Sequence, residues 1–270
     1  MKLIESDVIA NGVKLHVYRT NTEKPPLLFA HGRSDNGLCF WPIAQQFADA
    51  YEIILYDARD HGQSDQTDDQ ITLLDRAKDL AGLIDALHLQ KPALVGHSLG
   101  AATVALLAGQ QPQTPACTVL EDPPPYELMA AQTEQAQAGH KGWEQFIQSI
   151  KGKEIAEIVA LGREGSPTWP EAEWEPWAQS KLQYHLKPFG EDGIDAATAN
   201  AIVANITCPT LLITADLALG AIYPPQAADA WVASLPDAQH VNIPGAGHNI
   251  RREQPEVYAT AVRDFLNTHA

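Results

Sequence analysis

The sequence predicts an α/β fold: a mainly parallel central sheet flanked by helices, with a helical cap inserted into it. Short apolar runs typical of strands buried on both faces alternate with stretches of helical periodicity. This alternation indicates βαβ units, because parallel strands need crossover helices between them. A change of composition after three consecutive prolines at residues 123–125 marks where the cap leaves the sheet. A chain of 270 residues suits one such core with an insertion.

The elements can be placed in order along the chain. Apolar and polar positions alternate over residues 1–20 around Asn11-Gly12, which predicts an antiparallel hairpin with a two-residue turn. The remaining strands are predicted at the apolar runs 27–30, 52–56, 93–95, 116–120, 208–214 and 240–243. Helical periodicity covers 73–87, 101–108, 225–235 and 255–266.

The predicted cap covers residues 126–198, between core segments 1–125 and 199–270. It is rich in Gln and Glu, has little strand signal, and contains four of the six tryptophans: Trp143, Trp169, Trp174 and Trp177. Such rings can line an apolar substrate pocket, but helical subdomains also need aromatic side chains for packing. We expect packing to be the more common role.

Composition narrows the classes of partner. The formal net charge of −16 argues against nucleic acid and anionic membranes, which both need basic patches. The N-terminus lacks an apolar signal region, and no segment approaches the roughly 20 apolar residues of a membrane span. We therefore expect a cytoplasmic protein that acts on a small molecule; the oligomeric state is left open.

Three widely spaced cysteines, Cys39, Cys117 and Cys208, are predicted to be free buried thiols.

The Gly-x-Ser-x-Gly pattern at residues 96–100 follows an apolar strand and precedes a helical run. This context is typical of a nucleophile elbow, a strained strand-to-helix turn that exposes its serine. Side chains at Gly96 or Gly100 would strike the neighbouring strand or helix. The pattern predicts Ser98 as a nucleophile; the alternative is a glycine-bracketed turn with an ordinary serine.

A serine hydroxyl needs an adjacent base. Among ten histidines, His248 lies in a glycine-rich loop between the last predicted strand and the last helix, from which it can reach the sheet edge of Ser98. The alternative for His248 is an ordinary loop histidine. His97 is interpreted as a packing or pocket-wall residue.

Two backbone N–H groups are candidates for an oxyanion hole. One belongs to Leu99, at the helix start after the serine, and the other to Arg33, in the loop after the strand at residues 27–30. The alternative for the His-Gly-Arg sequence at 31–33 is a plain glycine turn. The Arg33 side chain can meet an anionic substrate group or turn outward into water, and we favour the second arrangement.

Together these motifs resemble the α/β-hydrolase superfamily over essentially the whole chain. The resemblance is carried by the His-Gly loop, the Asp-x-Arg-x-His-Gly-x-Ser sequence at 57–64, the elbow, the inserted cap, and Gly247-His248 followed by Glu253 and Pro255. It implies that Asp57, Arg59 and Ser64 brace loops and take no part in catalysis. Asp60 stands where many relatives have glycine, so this turn is expected to differ.

The resemblance allows two positions for the acid that orients His248. Many members place it after the strand that ends here at Thr214, but the matching residue is Ala218, and Asp216 is displaced by two residues. The other position is the end of the strand before the cap, where Asp122 begins an Asp-Pro-Pro segment similar to that of the deformylase and related cap-bearing hydrolases. We favour Asp122, with Asp216 and Glu121 as alternatives. Glu121 should point to the opposite side of its strand.

The predicted function is that of a serine hydrolase that cleaves small, mostly apolar carboxylic esters through an acyl-enzyme, without cofactor or metal. Amide, formyl and carbon–carbon bond hydrolysis use the same triad, and cofactor-free haloperoxidase chemistry resembles it, so these alternatives stay open. Haloalkane dehalogenation is disfavoured because it would want a carboxylate at the elbow. A slow-turnover ligand receptor on the same scaffold is the alternative from another class. Neither the acyl length nor the leaving group follows from the sequence.

Overall fold

The structure, a computed structural model, describes residues 2–68, 71–126, 134–186 and 194–270, without the side chains of residues 134–140. Its centre is an eight-stranded sheet in the order β1-β2-β4-β3-β5-β6-β7-β8. The strands are β1 Ile4–Ala10, β2 Val13–Arg19, β3 Pro26–Ala30, β4 Glu52–Tyr56, β5 Ala93–His97, β6 Thr118–Glu121, β7 Thr210–Thr214 and β8 Ala238–Asn242. Strands β3 to β8 are parallel, whereas β1 and β2 are antiparallel additions at one edge. The predicted, mainly parallel sheet is confirmed.

The opening hairpin is also confirmed, since β1 and β2 pair directly across Asn11-Gly12. Both turn residues have positive φ, 49° for Asn11 and 79° for Gly12. A two-residue turn of this kind requires left-handed backbone at both positions, which glycine adopts freely and asparagine tolerates.

Helices cover both faces of the sheet. In the part of the chain that is described, they are α1 Trp41–Ala44, α2 Leu73–Ala86, α3 Leu99–Gln110, α4 Glu134–Ile150, α5 Ile155–Gly165, α6 Trp174–Gln183, α7 Ala196–Val203, α8 Pro225–Val232, α9 Ile250–Glu253 and α10 Pro255–His269. Alternate residues of β3 join different cores: Leu28 packs with α2 and α3, whereas Leu27 packs with α10. This double burial explains why the strands are continuously apolar. None of the described helices is both long and apolar enough to cross a bilayer.

The helices α4, α5 and α6, between β6 and β7, form an apolar cluster of their own. Trp169 stacks on Trp174 with ring centroids 5.1 Å apart, and Trp177 meets both rings edge-on. These tryptophans therefore pack chiefly against one another. Residues 127–133 and 187–193 of the predicted cap lie outside the described residues, and the division into core and cap stays a prediction.

Helix α7 packs on α3 and so lies against the sheet core. The predicted boundary between residues 198 and 199 falls inside this helix. Another difference from the sequence analysis is the short helix α9, which begins two residues after His248. The three cysteines are free and buried, as predicted.

Two helical glycines provide a test of the α3–α7 contact. A Cβ atom at Gly109 would overlap the backbone carbonyl of Ile202, whereas a Cβ at Gly142 would meet nothing. We expect Gly109→Ala to lower the free energy of unfolding by about 1–3 kcal/mol, because the overlap outweighs the helix propensity of alanine. Gly142→Ala should raise it by about 0.5–1 kcal/mol. Urea unfolding followed by circular dichroism measures both; stabilisation by Gly109→Ala would contradict the packing.

Candidate active site

Ser98 lies at the bend between β5 and α3, with φ of 53° and ψ of −121°. This backbone conformation is unusual for a residue with a side chain and indicates local strain. The flanking glycines are required sterically. A Cβ at Gly96 would lie 2.6 Å from backbone atoms of Ala101, and one at Gly100 would overlap the carbonyl group of Ala30. The predicted elbow geometry is present.

His248 bridges Ser98 and Asp122. Its Nε2 atom is 3.0 Å from Ser98 Oγ, and its Nδ1 atom is 2.7 Å from Asp122 Oδ2. Because a carboxylate accepts only, the Nδ1–H donates to Asp122, which leaves the Nε2 lone pair directed at the serine hydroxyl. The three side chains are thus in the arrangement that activates a serine nucleophile.

Asp122 is fully buried and is held from several sides. Its carboxylate accepts the backbone N–H groups of Ile222 and Tyr223, each at 3.0 Å, in addition to the imidazole. Its own N–H donates to the carbonyl of Ile213, and its φ is 41°. The backbone therefore turns away from β6 at Asp122, while the hydrogen bond to Ile213 of β7 still holds it in place.

The other two candidate acids make different contacts. Asp216 Oδ2 accepts the N–H of Gly245 at 2.7 Å, so it braces the loop that leads to His248. Glu121 accepts the N–H of Arg251 at 3.0 Å and is completely buried. The structure brings Asp122, and neither Asp216 nor Glu121, to the His248 ring.

The loop after β3 lies against Ser98. His31 fixes it: its Nε2 atom accepts the N–H of Ala58 at 2.9 Å, so its Nδ1–H donates to the carbonyl of Gly32 at 2.8 Å. A Cβ at Gly32 would lie only 3.2 Å from the Cβ of Ser98. Arg33 follows in this loop, and Leu99 opens α3, where backbone N–H groups have no intrahelical acceptor. Both predicted oxyanion donors are therefore carried on segments next to Ser98.

The Arg33 side chain is partly buried and lies near enough to contribute to the lowered pKa of His61. Burial is the main cause of that shift, followed by the influence of His31 and Arg76. Arg33 is thus only partly exposed, and which way its guanidinium group points relative to a substrate stays a prediction.

The predicted bracing residues contact the loops around the site. Asp57 accepts the N–H groups of Gly37 and Gln63 at 2.7 and 2.8 Å, and Ser64 Oγ donates to the Asp57 carbonyl. Arg59 forms a two-pronged ion pair with Asp79, at 2.6 and 2.8 Å. Asp60, at the usual glycine position, has φ of 68°, and its side chain accepts the N–H of Thr67.

The structure bears out the packing role predicted for His97, but neither the partner of His97 nor a buried cluster of ion pairs was identified from the sequence. His97 packs its ring 4.7 Å from that of His248, and its Nε2–H donates to the His248 carbonyl at 2.9 Å. His97 therefore supports His248, and its position beside Ser98 was the only signal in the sequence for this contact. A buried cluster of ion pairs involving Asp35 also lies beside the site; its members are too far apart in sequence to have been paired.

Within the described residues, no group of three or more His, Cys, Asp or Glu side chains is arranged to hold a metal.

A sequence profile described as the alpha/beta hydrolase fold matches residues 25–251. The chain belongs to the alpha/beta hydrolase family. The predicted resemblance and the fold class are confirmed together, because the profile spans both the elbow and the His248 loop. The sheet topology and the helical layers are those of this hydrolase fold.

Several hydrolases are similar to this chain over most of its length. The 2-(acetamidomethylene)succinate hydrolase of Mesorhizobium japonicum is 30% identical over 257 residues, which cover 90% of this chain and 88% of the relative. A putative esterase/lipase of Haemophilus influenzae is 25% identical over 269 residues, 94% of this chain and 87% of the relative.

Solved structures show the same fold. The crystal structure of E-2-(acetamidomethylene)succinate hydrolase has a TM-score of 0.75 at 25% identity, covering 98% of this chain and 99% of that one. The N-formylmaleamic acid deformylase of Pseudomonas putida S16 has a TM-score of 0.71 at 22% identity, covering 96% and 100%. The likeness to the deformylase is therefore one of fold.

Buried histidines give this hydrolase an expected dependence of stability on pH. Burial lowers the pKa of His31, His61 and His97, so the folded chain keeps them neutral at a pH where the unfolded chain, with histidine pKa near 6.5, protonates them. The unfolded state then binds more protons, and stability falls as the pH falls. Glu121 has the opposite effect on the pH dependence of stability, because burial raises its pKa. The three histidines together outweigh this single carboxyl group.

We therefore expect the free energy of unfolding to fall by about 2–4 kcal/mol between pH 7.5 and pH 5.5. Urea unfolding at the two pH values measures this change, and replacement of the exposed His88 by glutamine serves as the control that should not alter it. Equal or greater stability at pH 5.5 would show that the buried imidazoles are not held neutral.

Proposed function

We propose that this hydrolase cleaves small, mostly apolar carboxylic esters through an acyl-enzyme, using Ser98, His248 and Asp122 as its catalytic triad. The proposal rests chiefly on one observation: the continuous hydrogen-bonded chain from Ser98 Oγ to His248 Nε2 at 3.0 Å and from His248 Nδ1 to Asp122 Oδ2 at 2.7 Å. Both distances lie within the range needed for proton transfer and orientation.

In the first half-reaction, Ser98 Oγ forms a bond to the acyl carbon while its proton passes to His248 Nε2. The carbonyl oxygen takes up the negative charge, which the backbone N–H groups of Leu99 and Arg33 stabilise. When the intermediate collapses, the bond to the leaving oxygen breaks and His248 returns the proton to it. Asp122 keeps the imidazole oriented and stabilises its charged form.

In the second half-reaction, water replaces the alcohol. His248 removes a proton from the water, whose oxygen forms a bond to the acyl carbon, and Ser98 leaves with that proton. The cycle consumes one ester and one water and releases an acid and an alcohol. It needs neither a metal nor an organic cofactor.

Amide hydrolysis is the second candidate function. The relative from Mesorhizobium japonicum is named for a substrate that carries an acetamide group, and its 30% identity extends over 90% of this chain. The same three residues suit this reaction, since His248 would protonate a leaving nitrogen in place of a leaving oxygen. The likeness to a putative esterase/lipase favours the ester instead.

A paired-substrate experiment separates these functions. We expect turnover of p-nitrophenyl acetate to exceed that of p-nitroacetanilide, and Ser98→Ala to lower kcat/KM by at least about 10⁴-fold because the nucleophile is lost. The exposed Ser149 supplies the matched control, Ser149→Ala, which should retain full activity. Mass spectrometry should locate a fluorophosphonate label on Ser98.

Three other outcomes of these experiments would each favour a different conclusion. Faster turnover of the anilide would favour the amide function. A label on Ser98 without steady turnover of either substrate would favour a ligand receptor on the hydrolase scaffold. Failure of the fluorophosphonate to label Ser98 would contradict the serine-hydrolase mechanism itself.

A further inference from the structure

Six charged side chains form a cluster, here called the buried ion cluster, beside the proposed triad. All six are almost completely inaccessible to solvent, with at most 4% of each residue exposed. The cluster contains three carboxylates and three cations, and its formal charges therefore cancel. Its members are Asp35, Glu121, Glu173, Lys181, Arg251 and Arg252.

Asp35 is the centre of this cluster. Its Oδ2 atom accepts from Arg251 Nη2 and Arg252 Nη2, each at 3.0 Å, while its Oδ1 atom accepts from Lys181 Nζ at 2.7 Å. Burial alone would raise the pKa of Asp35, but the three cations outweigh it and hold the pKa well below its ordinary value. Asp35 is therefore an anion that three donors share.

The cluster is connected to the segment that carries His248. Arg251 lies three residues after this base, and Arg252 donates to the side-chain oxygen of Asn249, the next residue after the base, at 2.9 Å. Both arginines also begin helix α9 together with Ile250. Because Asp35 binds both guanidinium groups, it restricts the position of the chain that follows His248.

The same cluster is connected to the acid and to the oxyanion loop. Glu121, the residue before Asp122, accepts the backbone N–H of Arg251 at 3.0 Å. Lys181, on α6, donates to the carbonyl of Ser34 at 2.9 Å, the residue after Arg33. Three segments carry the proposed catalytic groups outside the elbow: those of His248, of Asp122 and of the Arg33 N–H. Each of them also carries a member of the buried ion cluster within three residues of the proposed group.

Stability alone is a poor explanation for such a cluster, because buried ion pairs often stabilise a fold no more than well-packed apolar residues do. Their directional hydrogen bonds do, however, fix the relative positions of the segments that carry them. On the basis of the proposed function, we propose that Asp35 is a positioning residue: through Arg251 and Arg252 it holds the loop of His248, and through Lys181 it holds α6 against the loop of Arg33.

Asp35→Asn tests this role. An amide can offer its oxygen either to Lys181 or to the arginines, and its NH₂ group then faces donors on the other side. We expect the rate of fluorophosphonate labelling at Ser98 to fall by about 10- to 100-fold, as a displacement of the loops by a fraction of an ångström would cause. With p-nitrophenyl acetate, kcat should fall while KM changes by less than about threefold.

Glu52→Gln is the matched control. Glu52 is also a buried carboxylate that binds an arginine, Arg19 at 2.7 and 3.0 Å, but it begins β4 at the sheet edge opposite to Ser98. This variant should lose stability while its labelling rate stays at the wild-type value. An equal fall of the labelling rate in both variants would overturn the positioning role.

A second variant separates positioning from charge balance. In Asp35→Asn with Lys181→Met, one anion and one cation are removed, so the cluster is neutral again. We expect this double variant to regain stability while its labelling rate stays low, because a neutral amide oxygen holds the two arginines more weakly than a carboxylate and the bond from Lys181 to the carbonyl of Ser34 is lost. Recovery of the labelling rate together with stability would overturn the proposal.

The downfield proton resonance of the His248 Nδ1–H gives a readout that needs no activity. We expect it to shift or broaden in Asp35→Asn and to persist in Glu52→Gln, since it reports the hydrogen bond to Asp122 directly. If wild-type Ser98 resists labelling, the proposed function is contradicted, and an altered resonance in Asp35→Asn would still support positioning. An unchanged resonance and an unchanged labelling rate would overturn it.

Discussion

The hydrogen bond between His248 and the buried Asp122 is the interaction on which the site depends. An imidazole on a glycine-rich loop can rotate, and only a fixed acceptor for Nδ1–H keeps the Nε2 lone pair directed at Ser98. Asp122 supplies that acceptor because two backbone N–H groups, those of Ile222 and Tyr223, hold its carboxylate in turn. In the proposed triad, the fold therefore fixes Asp122 first, Asp122 orients His248, and His248 is placed to activate Ser98.

The sheet explains how such distant residues meet. Parallel strands place their carboxyl ends at one edge, where β3, β5, β6 and β8 are followed by the loop of Arg33, the elbow, Asp122 and the loop of His248. Close contacts then exclude side chains at particular points, such as Gly96 and Gly100. Neutral His97 supports the His248 loop through a directed hydrogen bond, and the buried ion cluster holds Arg251 and Arg252, which follow in the chain. Strain at Ser98 persists because its surroundings fix it from all sides.

The strands and the elbow could be predicted from the sequence because the patterns that indicate them are local. Continuous apolar runs indicate strands covered on both faces, and the elbow needs glycines at fixed offsets. The acid was harder, because Asp122 and Asp216 both follow strands that end at the same edge, and only the three-dimensional contacts separate them. The ion cluster could not be predicted, since 216 residues separate Asp35 from Arg251. The predicted boundary near residue 198 falls inside α7, whose packing on α3 leaves no mark in the composition, and the division into core and cap stays a prediction.

A comparison of kcat for Asp122→Asn and Asp216→Asn with the same ester tests most directly whether Asp122 orients His248. Loss of the orienting carboxylate should lower kcat by about 10⁴-fold, because an amide at this position favours the wrong tautomer of His248. Asp216→Asn should change kcat by less than about tenfold, since it weakens only the bond from the N–H of Gly245 and leaves the contacts of His248 intact. A large loss in Asp216→Asn together with a small one in Asp122→Asn would contradict the account.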